Sequence, residues 1–185
     1  MNQEIRKIEV AEDIFVLENL LSPEECEVLI YSSEELGFEE ATIFDGREHR
    51  MLKSVRNNLR LVSYDQEFAN ELWGKVKPYF SESIHTYKSC GLNERFRFYK
   101  YEVGHRFRKH KDGAFVRSEG DRSIYTFMIY LNDDFEGGTT DFDNGISVKP
   151  KTGSALVFLH PCRHEGKEDT SGVKYAIRSD VMYKR

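Results

Sequence analysis

Apolar residues recur at helical spacing in the first half of the chain and at strand spacing in the second. Ile14 to Leu21 has strand character, and Ser22-Pro23-Glu24-Glu25 then supplies an N-cap, a proline at the first helical position and a capping-box glutamate. A helix to about Leu36 is expected. Its apolar positions Cys26, Val28, Leu29 and Ile30 share a face only in part, which suits a helix lying against a sheet. Ala41 to Val55 shows no period and reads as a loop or short hairpin around Asp45-Gly46, with residues 41–60 a candidate lid over a site. After a short strand at Leu59 to Val62, Asp65 is placed to cap a second helix reaching Phe80, with Phe68, Leu72, Trp73 and Val76 on one apolar face.

Beyond Gly91, strand-like runs take over at Arg95 to Tyr101, Ser123 to Leu131, Ile146 to Val148, Ala155 to Leu159 and Lys174 to Tyr183. Turn signals at Gly104, Asn132-Asp133, Gly137-Gly138, Asn144-Gly145 and Gly153 separate them. Short antiparallel strands in a sandwich or jelly roll are therefore expected, with an α+β fold once the N-terminal helices are included. The length suits a single domain of residues 1–185, with residues 1–92 as helical support and lid and residues 93–185 as the jelly-roll core.

Composition narrows the partners. A formal charge of -5 lacks the basic excess of a nucleic-acid binder. No apolar run approaches the roughly 20 residues of a membrane span, and MNQEIRKIEV lacks the apolar core of a signal peptide, so a soluble, cytoplasmic protein is expected. Cys26, Cys90 and Cys162 lie far apart without a C-x-x-C pair and read as structural thiols.

In His110-Lys111-Asp112 the period of two along a strand would point the histidine and aspartate to one side. His164, just beyond the Ala155 to Leu159 run, would complete a two-histidine, one-carboxylate face, a donor set that suits iron(II) and leaves positions open. Alone, H-x-D is a weak signal. Its neighbours strengthen it: Tyr101-Glu102-Val103-Gly104 before it, Tyr130-Leu131-Asn132 and Gly137-Gly138-Thr139-Thr140 after it, then His164 followed by Gly172-Val173-Lys174-Tyr175. This ordered series, from Arg95 onward, resembles the prolyl 4-hydroxylase-like branch of the iron(II) and 2-oxoglutarate-dependent dioxygenases, whose fold is the double-stranded β-helix.

The resemblance implies that His110, Asp112 and His164 bind Fe(2+), and that Lys174, ten residues beyond His164, binds the far carboxylate of 2-oxoglutarate. It also points to Tyr130, on one strand face with Thr126, and to Tyr101 as co-substrate contacts. His160 is the competing distal ligand, but its spacing to Lys174 fits less well. With O2 as the other co-substrate, and L-ascorbic acid binding also implied, the expected reaction hydroxylates an unactivated C–H bond and yields succinate and carbon dioxide. Both histidines must be neutral to bind metal, so activity is expected to fall as pH drops through the ordinary histidine range.

On the last strand, Lys174, Ala176, Arg178 and Asp180 share one face, an unusually charged one for a core strand. Arg97 and Tyr99 share a face with Tyr101; with Arg178 they are the candidates for the substrate side. The expected acceptor is a prolyl residue of a peptide or protein, although no separate peptide-binding domain of the collagen-type enzymes is recognisable. A free amino acid or other small-molecule acceptor is the alternative within the enzyme class. From other classes come a cupin-like module that binds metal or ligand without turnover and, less compatible with an open three-ligand set, a structural zinc protein. His49, His85 and His105 fall in no ligand pattern and read as solvated surface.

Overall fold

The computed structural model describes residues 4–44, 49–50, 52–117 and 120–185. Strands β1 (Arg6–Ala11) and β2 (Ile14–Glu18) form an antiparallel hairpin that leads into helix α1 (Pro23–Leu36). The expected capping box is formed: Glu25 N donates to Ser22 Oγ at 3.2 Å, and Ser22 N donates to the Glu25 carboxylate at 2.6 Å. On α1 only part of the apolar set turns inward, since Cys26 is buried while Val28 is 64% exposed. Strand β3 (Leu59–Tyr64) precedes α2 (Gln66–Val76), which Asp65 caps by accepting from Phe68 N at 2.9 Å. The second helix stops short of the expected Phe80. Pro78, which has no N–H to donate, lies in a 3-10 turn at Lys77–Tyr79 that closes it.

The rest of the chain is strand: β4 (Arg95–Tyr101), β5 (Phe107–His110), β6 (Arg122–Tyr130), β7 (Thr140–Phe142), β8 (Ala155–Leu159), β9 (His164–Gly166) and β10 (Lys174–Lys184) frame the site. The larger, antiparallel sheet runs in the order β1-β2-β8-β6-β10-β4-β3, with Glu39–Glu40 beside β3. The smaller sheet runs β5-β9-β7 and ends on Ser147–Val148. Two facing sheets of antiparallel strands make the expected jelly roll. The first half of the chain supplies more than helices, because β1, β2 and β3 extend the larger sheet at both of its edges.

Alternation along the central strands places the core. Phe127 and Ile129 of β6, Val157 of β8 and Ile177 and Val181 of β10 face the helices, where they pack with Leu72 and Val76 of α2 and Cys26 of α1. Each such large side chain, fully buried, contributes roughly 1.5–3 kcal/mol. The opposite face of the same strands looks between the sheets, and there Tyr130, Leu156, Phe158 and Ala176 pack with Phe142 and Val148. Gly153 ties the α1 entry to this frame: its carbonyl accepts from Leu20 N and Leu21 N at 3.0 and 3.1 Å. Its φ of 72° and the position of Leu21 O, 2.1 Å from where a Cβ would stand, leave room for glycine alone.

In the candidate lid, Ile43–Phe44 pairs with His49–Arg50 as a two-stranded hairpin, while the Asp45-Gly46 turn lies outside the described residues. No described helix is long and apolar enough to cross a membrane.

Candidate active site

His110 is the last residue of β5 and His164 the first of β9, and the two stand opposite each other as Cα partners. One sequence expectation holds here and one is corrected. His164 lies just beyond the Ala155–Leu159 strand, as expected, and opens a strand of its own, whose pairing with β5 brings the two imidazoles together, 4.3 Å between centroids and tilted by 55°. Asp112 lies beyond the end of β5, so it comes beside His110 through irregular backbone and not through the period of a strand.

The ligand atoms of His110, Asp112 and His164 all lie within 4.8 Å of one another, a group able to hold a metal ion. Asp112 Oδ1 is 3.6 Å from His110 Nε2, and Oδ2 is 3.9 Å from His164 Nε2. Each ring is oriented from behind: His110 Nδ1 is 2.8 Å from Arg108 O, and His164 Nδ1 is 3.0 Å from Cys162 O. Nδ1–H donating to a carbonyl leaves both Nε2 lone pairs aimed at the centre. Phe107 stacks on His110 at 3.6 Å between centroids, and Phe158 meets His164 edge-on at 4.5 Å.

Electrostatics prepare these groups as ligands. Burial disfavours ionisation of Asp112, but the Arg178 guanidinium 2.7 Å away, with the two imidazoles, outweighs it and holds the carboxyl well below its usual range. Thr126 Oγ1 donates to Asp112 Oδ2 at 2.6 Å. Burial lowers His164 to about 4, against the pull of Asp112. Burial thus keeps this ring neutral well below the ordinary histidine range. The donor set, two imidazoles and one carboxylate beside an open pocket, fits iron(II).

The pocket runs between the sheets from this trio toward Lys174, along β10, where Ala176 and Arg178 also line it. A separation of four strand residues puts Lys174 about 13 Å from Arg178 along the chain, at the opposite end. Lys174 is buried, donates from Nζ to Gly138 O at 2.8 Å and lies 4.3 Å above the Tyr101 ring. Tyr101, Tyr130 and Thr126 all line the pocket. Tyr130 Oη is 2.8 Å from Thr140 Oγ1. Burial pushes the phenols of Tyr101 and Tyr130 upward, so both keep their protons and can donate.

The three substrate-side candidates divide. Tyr99 and Arg178 both line the pocket, Arg178 while bound to Asp112 and Asp180, whereas Arg97 is held by Asp180 at 3.2 Å and is not part of the lining. His160 is outside the trio: Nε2 is 2.8 Å from Ser123 Oγ and Nδ1 3.0 Å from Thr126 Oγ1, so it braces the threonine that bonds Asp112. Two residues went unnoticed in the sequence. Arg56 is sandwiched between the Tyr99 and Phe107 rings at 4.6 and 4.5 Å, and Asp169 is fully buried 3.6 Å from Lys174 Nζ. Neither stands at a motif position, and only the cross-sheet contacts reveal them. His85 is exposed as expected, the His49 side chain lies outside what the structure describes, and His105 is half-buried, its Nδ1 accepting from Glu102 N at 3.0 Å.

Residues 96–179 match the family described as the 2OG-Fe(II) oxygenase superfamily. A protein of Acanthamoeba polyphaga mimivirus that bears a prolyl 4-hydroxylase name is 30% identical over 182 residues, covering 87% of this chain and 70% of that protein. Prolyl 4-hydroxylase 1 of Arabidopsis thaliana is 27% identical over 163 residues, but the chain spans only 56% of its length. Among solved structures, the viral collagen prolyl hydroxylase of Paramecium Bursaria Chlorella virus-1, in complex with 2OG, superposes with a TM-score of 0.62 at 23% identity, covering 97% of this chain and 96% of that one. A Pseudomonas putida prolyl-4-hydroxylase gives 0.64 at 15% identity, with 94% of each chain covered. These two likenesses concern the fold.

Proposed function

Because the chain belongs to the 2OG-Fe(II) oxygenase superfamily, whose members use iron(II), 2-oxoglutarate and dioxygen, we propose that it hydroxylates a prolyl residue of a peptide or protein, with His110, Asp112 and His164 as the iron ligands. The observation that carries the site assignment is the convergence of these three side chains, each supported from behind, at one end of a pocket whose other end holds a buried lysine. Bound there, iron(II) with 2-oxoglutarate supplies the oxidising power that no side chain has.

The chain's own residues bind, orient and shield. Lys174 receives the far carboxylate of 2-oxoglutarate, and the Tyr130 hydroxyl donates to the same group. Tyr101 covers the lysine with its ring, which keeps water from the ion pair. Arg178 and Thr126 fix Asp112 in its ionised, correctly rotated form. Tyr99, with Arg56 stacked on it, forms the wall on the acceptor side.

The prolyl acceptor is supported by the names of the curated relatives. It is tested by following 2-oxoglutarate consumption with proline-rich peptides, free amino acids and no acceptor. Stimulation by the peptides, with one oxygen atom gained on proline by mass spectrometry, is the expected result. Stimulation by a free amino acid alone would replace the peptide acceptor with a small molecule.

A further inference from the structure

Lys174 shares its end of the pocket with a carboxylate that the proposed function leaves without a role. Asp169 opens the short strand Asp169–Ser171, paired with Glu136–Gly137, and is wholly buried. Its Oδ2 stands 3.6 Å from Lys174 Nζ, yet neither carboxylate oxygen has a hydrogen-bond partner among the described residues. Gly138 closes the cluster so tightly that a Cβ there would come within 2.1 Å of Asp169 Oδ1 and 3.0 Å of Lys174 Nζ.

Resting on the assignment of Lys174 to the far carboxylate of 2-oxoglutarate, we infer that Asp169 is a positioning residue that couples binding of this co-substrate to uptake of one proton by the Lys174–Asp169 pair. Without co-substrate, Asp169 is the countercharge of the buried ammonium. A second carboxylate arriving at Lys174 places two anions on one cation in a dry site, and like charges so close do not both stay ionised. Asp169 is the group that yields, because nothing donates a hydrogen bond to it, whereas the incoming carboxylate meets both Lys174 and the Tyr130 hydroxyl.

Among the described residues, Lys174 is the charged group that acts on Asp169. Lys174 on β10 and Tyr101 on β4 face Asp169, and burial keeps the Tyr101 phenol protonated. The turn that its backbone bonds to, through Gly104 N and His105 O, carries Glu102, His105 and Arg106, and Arg106 pairs with the neighbouring Glu168 at 2.5 Å. Burial already pushes Asp169 up to about 6, against the pull of Lys174, and a second anion at Lys174 raises it further, so that the bound pair holds its proton at neutral pH. The sign follows: below about pH 6 the free pair already holds the proton and affinity is flat, while above it each binding event takes one up and affinity falls as pH rises.

Calorimetry on the iron(II)-loaded protein without oxygen, in buffers of different ionisation enthalpy, reads the protons taken up per 2-oxoglutarate bound. At pH 7 the uptake should approach one, and Kd should rise by up to about tenfold per pH unit from about pH 6. Asp169→Asn should bind several-fold tighter at pH 7 with the uptake lost. Wild-type binding without proton uptake, at a Kd constant from pH 6 to 8, overturns the inference and leaves Lys174 its role. Uptake that survives in Asp169→Asn also overturns it, by placing the proton elsewhere. No binding of 2-oxoglutarate by wild type overturns both the inference and the reading it rests on. If the variant does not fold, the wild-type measurement decides.

Discussion

At the scale of single residues, the site is organised by Arg178, whose guanidinium is shared by Asp112 and Asp180 behind the metal position. Replacing it with leucine leaves the nearly inaccessible Asp112 carboxylate without its cation, while Asp180 keeps Arg97, and should cost roughly 3–5 kcal/mol of stability. It should also weaken metal binding by roughly 10–100-fold, as loss of a group orienting a ligand does. Chemical denaturation and metal titration check the two effects separately. The sign of the pH dependence is fixed by the depressed Asp112 carboxyl: its contribution is present above the ordinary carboxylate range and is lost as pH falls toward its folded value. Arg178→Leu should therefore lose metal at a higher pH than wild type does. The meeting of His110, Asp112 and His164 beside one pocket with Lys174 was legible in the sequence through the resemblance, whose motifs keep those residue types in that order. Arg178 was legible as an inward charge, but its partner was not, since nothing along the chain places Asp112 opposite it. Asp169 and Arg56 were invisible for the same reason: each matters through a neighbour from a distant strand or turn.

At the scale of elements, the last strand carries both jobs of the fold at once. Its odd positions Ile177 and Val181 pack under the helices, while Lys174, Ala176 and Arg178 line the pocket, so the period of two separates core from chemistry. That alternation, the α1 capping box and the strand runs were all legible, because each depends on residues close in sequence. What was not legible depends on pairing: β9 is three residues long and exists through its partners β5 and β7. The same distinction grades two mutations. Ser22→Ala removes one cap hydrogen bond and should cost about 1 kcal/mol, with the denaturant slope unchanged. Gly153→Ala combines a positive φ with a backbone clash against Leu21 and should cost roughly 2–3 kcal/mol, seen as a lower denaturation midpoint.

At the scale of the whole molecule, the residues before Asn93 are part of the catalytic frame. Strand β2 pairs with β8 and β3 with β4, and the helices cover the apolar back of the larger sheet. A fragment of residues 93–185 is thus expected not to fold, which circular dichroism would show as loss of strand signal. The frame holds the two ends of one pocket apart, a metal trio at one and Lys174 at the other, and the central claim is that both ends act on one co-substrate. The most direct test supplies iron(II), 2-oxoglutarate and air without any acceptor, and measures succinate formed by wild type, His164→Ala and Lys174→Ala. The account predicts slow succinate formation by wild type, none by His164→Ala, and by Lys174→Ala formation recovered only at much higher 2-oxoglutarate. Iron binding by wild type with no binding or consumption of 2-oxoglutarate would contradict it and leave a metal-binding module in its place.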